Sequence, residues 1–311
     1  MKRRIFYKGI LNHCYQRSFD GGVLFYTFRD HLVFFTQYCV SARKHHIDVL
    51  GLCQMPDHLH DSIRAERRID LERFKRESLT AFSKKWNQAC GTNGAVWEAS
   101  FGSSVKFGDK NARSNLIYVG NNPVERKLVE RAEEYRWNYL AYARSDHPFS
   151  ETLVLRDARW PLQKAVREIK AQRTVDRPLN YAQLQRLFAP LQSKERLQLT
   201  DYIIHSYNVI DYPAAIRFFG SYENMLSALH ATTGSEHDLN EIFVGKSDAH
   251  YVRMTATLLR HGPWTDIHQV LSLDTEEKYE LFRLLRRETE APAEQIANFL
   301  HLTFRKDTQY G

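Results

Sequence analysis

The segment Met55-Pro56-Asp57-His58-Leu59-His60 puts two imidazoles two residues apart, just after a proline. In an extended strand, side chains at i and i+2 point the same way. His58 and His60 can therefore present two nitrogen donors on one sheet face. Such a pair can hold one divalent cation if further oxygen or nitrogen donors complete the set and positions stay open for substrate. With 14 histidines in 311 residues, a bare His-x-His match says little, and its surroundings must supply the rest. Downstream, Tyr118 and Asn122 stand four residues apart on a segment read as a short helix, hence on one helix face. The Asn122 amide oxygen is a candidate third ligand and the Tyr118 phenol a candidate nucleophile. Packing is the ordinary role of one tyrosine among 16.

The elements that must position these residues can be read from periodicity and punctuation. Residues 8–17 read as a strand. Residues 30–44 read as a helix with Leu32, Phe35 and Cys39 at helical spacing. Residues 47–55 form a second, apolar strand, interrupted at Pro56 by a bulge or at an edge, with extended chain resuming at 58–63. Asp70 reads as the N-cap of a helix over 71–89, whose apolar face is Phe74, Phe82 and Trp86, stopped by Gly91 and Gly94. A strand over 96–107 and a short helix over 112–120 follow, the latter ending near Asn121-Asn122-Pro123. Strands that are not regularly separated by helices favour an α+β fold: one central antiparallel sheet with helices on one side.

Composition bounds the rest. A hydrophobic fraction of 43% and a charged fraction of 26% describe an ordinary globular chain with enough apolar residues for real cores. Length suggests two or three domains. No apolar run approaches a bilayer span, and the basic start has no apolar stretch behind it, so the expectation is a cytoplasmic protein with no membrane association. The four cysteines are scattered, with no C-x-x-C, and read as free small hydrophobes. The net charge of +7 suits a polyanionic partner, nucleic acid first, and on charge alone suits a mildly basic enzyme without one about equally. After residue 150 strand signals nearly vanish. Helical patterns run through 163–230, for example 182–198 and 213–230, and over 276–288. The division expected is 1–150, 151–265 and 266–311, the last a helix-turn-helix-like segment with a turn near His301-Leu302 and a basic tail, able to grip duplex DNA. A plain helical pair is the rival reading. In 234–243, His237 and its acidic neighbours read as capping and surface polarity rather than a metal cluster.

Met-Pro-Asp-His-Leu-His at 55–60, then Tyr-Val-Gly-Asn-Asn-Pro-Val beginning at Tyr118, then Glu134-Tyr135-Arg136-Trp137, resemble the single-tyrosine HUH transposases, and more narrowly the REP-associated tyrosine transposases of the IS200-like group. The opening segment 12–25 and Val96-Trp97 also fit, so the resemblance covers roughly residues 8–142. It implies a ferredoxin-like HUH palm with the histidine strand in the middle and the tyrosine on a helix packed nearby, followed here by an all-α C-terminal region. It implies that His58, His60 and Asn122 ligate Mg²⁺ or Mn²⁺. It also implies that Tyr118 cleaves and rejoins single-stranded DNA at hairpin ends through a 5′-phosphotyrosine link. Asp57 and Asp61 depart from the family pattern. By strand parity Asp61 faces away from the histidines, where an unpaired carboxylate would be costly. Either that face is polar, or the strand twists and Asp61 joins the metal's surroundings. Arg17, Lys75, Arg76, Lys84, Lys85 and Lys106 are candidate backbone contacts, and Tyr15 could stack bases, whereas Trp97 reads as core. The protein would act as a monomer or homodimer. The alternative is a domesticated or catalytically silent DNA-binding protein at repeated hairpins.

Overall fold

The computed structural model describes residues 5–231 and 247–303. Its first part runs β1 (Leu11–Arg17), α1 (Phe28–Lys44), β2 (Asp48–Gln54), β3 (His58–Arg64), α2 (Arg68–Cys90), β4 (Gly102–Lys106) and α3 (Gly108–Glu125). The strands form one sheet in the order β2-β3-β1-β4, with every neighbouring pair antiparallel. This is the split βαβ arrangement of a ferredoxin-like palm, with β3 and β1 at its centre. It matches the expected α+β class.

Local chemistry explains where the elements begin and end. Met55–Asp57 turns the chain between β2 and β3, so Pro56 sits in a hairpin connection rather than in a bulged strand; it has no N–H to lose from a ladder there. Asp70 is not the N-cap of α2. It lies in the first turn and is gripped by Arg67, at 2.7 and 2.8 Å. Gly91 closes α2 in the left-handed region, at φ 65°, as its sequence position suggested. The strand expected over 96–107 shrinks to 102–106, because Val96, Trp97 and Phe101 turn inward to the core and only Trp97 keeps a bridge, to Ser18. α3 is longer than expected and continues through Pro123. A proline in the last turn costs one interior hydrogen bond while the packed helix face keeps its register.

Helices cover both faces of the sheet rather than one. On one face, α1 and α2 bury Phe34, Phe35, Phe74 and Phe82 against Cys14, Leu52, Leu59 and Ile63. On the other, α3 packs Ala112 and Leu116 on Leu11 and Leu50. α1 is buried nearly all round, because α4 (Trp160–Thr174), α5 (Tyr181–Phe188) and α6 (Ser193–Tyr207) join the same core from its outer side. The pattern expected over 182–198 is thus two helices, broken at Pro190. Similarly 213–230 is α7 (Tyr212–Ile216) and α8 (Tyr222–Ala231), broken at Gly220. α8 seats Leu229 against α3, where a Cβ on Gly120 would lie 2.8 Å from the leucine methyl.

α9 (Ala249–His261), α10 (Thr275–Thr289) and α11 (Ala293–Leu300) share a separate apolar cluster with Val23. Apolar contacts join α4–α6 to the core of the palm and α9–α11 to one another. All four cysteines are buried, and none of them forms a disulfide. α11 is docked on the palm: Tyr26 donates to the Phe299 carbonyl at 2.5 Å and the Val23 amide to the Asn298 carbonyl at 3.2 Å. Its apolar face is thus committed inward, and Ile296, Phe299 and Leu300 are buried. The basic tail 304–311 and the His237 peptide 234–243 lie outside the described residues. Among the described residues no helix is long and apolar enough to cross a membrane.

A buried charge knot ties the two halves. His268 lies 2.9 Å from Asp30 at the start of α1 and 2.9 Å from Asp266. Tyr181 of α5 donates to Asp30 at 2.7 Å, and Arg29 pairs with Asp266 at 2.6 Å. Burial opposes the imidazolium, but the two carboxylates override it and push His268 up to about 10. A raised folded-state value means that this stabilisation is complete below pH 6.5 and disappears as pH rises toward 10. His268→Gln should cost roughly 3–5 kcal/mol at pH 6, as expected when one member of a buried charge set is removed. Its melting temperature should then fall less steeply than wild type between pH 7 and 10 in a calorimetric series.

Candidate active site

Strand alternation sorts β3 cleanly. His58, His60 and Ser62 face α3, whereas Leu59, Asp61 and Ile63 face α1 and α2. On α3, Asn115, Tyr118 and Asn122 recur at i, i+3 and i+7 and look down on that strand. The Ser62 hydroxyl donates to Asn115 at 2.8 Å, which fixes the helix over the sheet. One turn further on, the Tyr118 ring stands 5.2 Å from the His60 ring, edge to face. At the helix end the Asn122 oxygen lies 3.2 Å from His58 Nε2, while the amide nitrogen donates back to the Tyr118 carbonyl at 3.3 Å. The four residues singled out from sequence are thus neighbours.

Each histidine has a specific partner on its other ring nitrogen. His58 Nδ1 is 2.5 Å from the Asp57 carboxylate, and His60 Nδ1 is 3.0 Å from Nε2 of His13 on β1. Burial works against a charge on His58, but Asp57 outweighs it and holds the imidazole above its ordinary value. Asp57 itself is held down to about 2: burial opposes its charge, and His58 and then Arg126 restore it. Burial, reinforced by His58, His13 and Arg17, holds His60 well below its ordinary value, hence neutral. His13 is pushed down to about 3 by burial and by Lys106 and Lys75.

This donor set fits a small divalent cation. Orienting acceptors on Nδ1 are what ligating histidines require, since they leave Nε2 for the metal. Neighbouring octahedral ligands at 2.0–2.1 Å from an ion stand about 3 Å apart, close to the His58–Asn122 separation. Among the described residues no three His, Cys, Asp or Glu side chains gather as a metal group, so a third donor beside His58 and His60 would have to be of another type, such as the Asn122 amide oxygen.

Sequence reasoning missed His13 and undervalued Asp57. The signal for His13 was present: Leu11, His13, Tyr15 and Arg17 alternate along β1 and, given the antiparallel register with β3, face the same way as the histidine pair. Arg126, capping α3, is a further addition. It pairs with Asp248 at 3.5 Å, which ties the chain leading into α9 to the Asn122 end of the site.

The basic candidates separate. Arg17 and Lys106 lie on the histidine face, with the Arg17 guanidinium 5.9 Å from the centre of the half-buried Tyr15 ring. Arg76 and Lys84 are exposed on α2, in the layer on the opposite side of the sheet, and Lys85 there is held by Gln37 and the Leu179 carbonyl, at 3.0 and 3.2 Å. Lys75 is corrected outright. Its side chain is 3% exposed and pairs with Asp61, which also accepts from Tyr38 at 2.9 Å. That pair resolves Asp61: the α1/α2 face is locally polar, and Asp61 stays away from the histidines. Trp97 packs among Phe25, Phe34 and Phe82, as expected of a core residue.

Two outcomes follow. Asp57→Ala should weaken Mn²⁺ binding about 10–100-fold by titration calorimetry, with partial recovery in Asp57→Asn, which keeps an acceptor oxygen. Lys75→Ala should cost roughly 3–5 kcal/mol in urea unfolding by stranding Asp61, whereas Lys84→Ala should stay within about 0.5 kcal/mol.

No protein-family model matches the chain, and no curated protein matches it. Among solved structures it is similar to a REP-associated tyrosine transposase bound to a REP hairpin, at 15% identity and a TM-score of 0.37, over 44% of this chain and 80% of that one.

Proposed function

We propose that the protein is a metal-dependent, single-tyrosine HUH endonuclease that cleaves and rejoins single-stranded DNA at hairpin ends. The observation that carries this reading is the convergence of His58, His60, Asn122 and Tyr118, with a hydrogen-bonding partner on Nδ1 of each histidine. His58, His60 and Asn122 would hold Mg²⁺ or Mn²⁺. When bound, such a cation polarises the phosphate oxygens and neutralises developing charge. The Tyr118 oxygen then attacks a backbone phosphorus. The bond to the 3′ oxygen breaks, leaving a 5′-phosphotyrosine link and a 3′-hydroxyl. A 3′-hydroxyl later attacks that link and restores the diester, so no external energy source is consumed. Arg17 and Lys106 sit where they can meet the backbone, and Tyr15 can stack an unpaired base. Such a substrate places the protein in the cytoplasm with the chromosome.

One observation favours the silent DNA-binding reading. Tyr118 is 3% exposed and packs with Cys53, Met55 and Val119. A phosphate reaches it only once the cover over this face moves.

The two readings separate on denaturing gels with labelled hairpin DNA from the flanks of the gene, in Mg²⁺ or Mn²⁺. Wild type should give a covalent protein–DNA band that Tyr118→Phe and chelator both abolish. Hairpin binding without a band under any metal would establish the silent reading instead.

A further inference from the structure

We infer that a cavity of about 350 Å³ between the palm and α6, lined by Phe28, Trp137, Phe188 and Leu197, is a slot for one unpaired nucleobase. The inference rests on the reading that the protein handles single-stranded DNA, and it adds a second contact to that substrate, built by the helical half of the chain.

An aromatic column leads into this cavity. Phe25 stacks on His31 with ring centres 4.8 Å apart and an interplanar angle of 18°. His31 stacks on Trp137 at 4.1 Å and 3°. His31 does not line the cavity and Trp137 does, so the half-buried indole is the ring of the column that borders it. The His31 ring is fixed by Gln54 at 2.8 Å, which makes the platform rigid. Burial pushes His31 down to about 3, so the ring beneath the indole is neutral and adds no charge of its own. Phe28 and Phe188, ring centres 4.8 Å apart, form another wall, and the half-exposed Leu197 forms the rim.

The charge at the rim selects among flat ligands. No acidic side chain lines the cavity, and two arginines do. Arg136 is committed: it pairs with Asp201 at 2.6 Å and lies over the Phe149 ring at 4.7 Å. Arg196 is exposed and gives only its Nε–H, to the Leu191 carbonyl at 3.0 Å. Its terminal N–H groups can reach the phosphate attached to a base held in the slot. A stacked base with a cation on its phosphate is how single strands are gripped without sequence readout. The slot is also of ligand size, at the lower end for small-molecule pockets.

The test uses the full chain and fluorescence anisotropy with two hairpins, one blunt and one carrying a short unpaired 5′ extension. Extended hairpins with an abasic site at each unpaired position in turn complete the set. In wild type one abasic position should weaken binding about tenfold, the size of one lost base stack. Leu197→Trp, which fills the slot from its exposed rim, should weaken the extended hairpin by a similar factor and make that abasic position silent. Arg196→Ala should lower the ratio of extended to blunt affinity without altering the melting temperature. If the abasic costs are the same in wild type and in both variants, the slot does not hold a base, and the Tyr118 adduct still decides the proposed function independently. If neither hairpin binds at all, the single-strand reading falls and the slot assignment with it.

Discussion

The two-residue period of β3 is the constraint on which the rest depends. This central strand is buried on both faces, so each successive side chain is answered by a different layer. A slip of one residue would send His58 and His60 into the aromatic core of α1 and α2, and would bring Leu59 and Asp61 under α3. Two interactions oppose that slip. The Asp61 carboxylate has Lys75 and Tyr38 on one face, and Ser62 has Asn115 on the other. The buried ion pair is weak as a source of net stability but strong as a register pin, because stranding either charge is costly. Positioning the histidine face therefore depends on a polar contact made on the opposite face.

Helical register supplies the second half of the site. Asn115, Tyr118 and Asn122 share a face only while α3 stays regular through Asn122. Pro123 would be expected to end it sooner. Its position in the final turn limits the damage to one hydrogen bond, and the helix face is held by Leu116 below and Leu229 above. The close seat of Leu229 requires Gly120, one of the residues between Tyr118 and Asn122. The helical half thus contributes to the geometry of the tyrosine.

Much of this was legible in the sequence. The order of strands and helices through residue 125 followed from periodicity, and His58, His60, Tyr118 and Asn122 were grouped through the resemblance to the single-tyrosine HUH transposases, spacing alone being a weak signal. What was not legible depended on pairing between distant segments. Lys75 looks like any basic residue on an amphipathic helix until Asp61 is placed beneath it. His13 has no local signature, because its link to His60 exists only across the β1–β3 register. The apolar run Leu32–Phe35 is too continuous for a one-faced helix. That was the available sign that α1 is covered twice, by the sheet and by α4–α6.

Shared packing also determines which edges of the sheet are covered. Since α1 and α4–α6 bury one continuous core, and α11 is hydrogen-bonded to the palm, the helical half cannot swing away as a loosely tethered unit. The β2 edge is closed as well, because the Asp211 amide donates to the Val49 carbonyl at 2.8 Å. On the opposite edge, every residue of β4 is only half-buried, and it pairs with β1 alone. Tyr15 lies over Gly102 there, where a Cβ would meet its ring at 2.0–2.2 Å, and Arg17 and Lys106 share its face. This edge therefore carries an aromatic ring and two cations on the same face of the sheet as the histidines, so its positive charge is concentrated beside the half-buried strand.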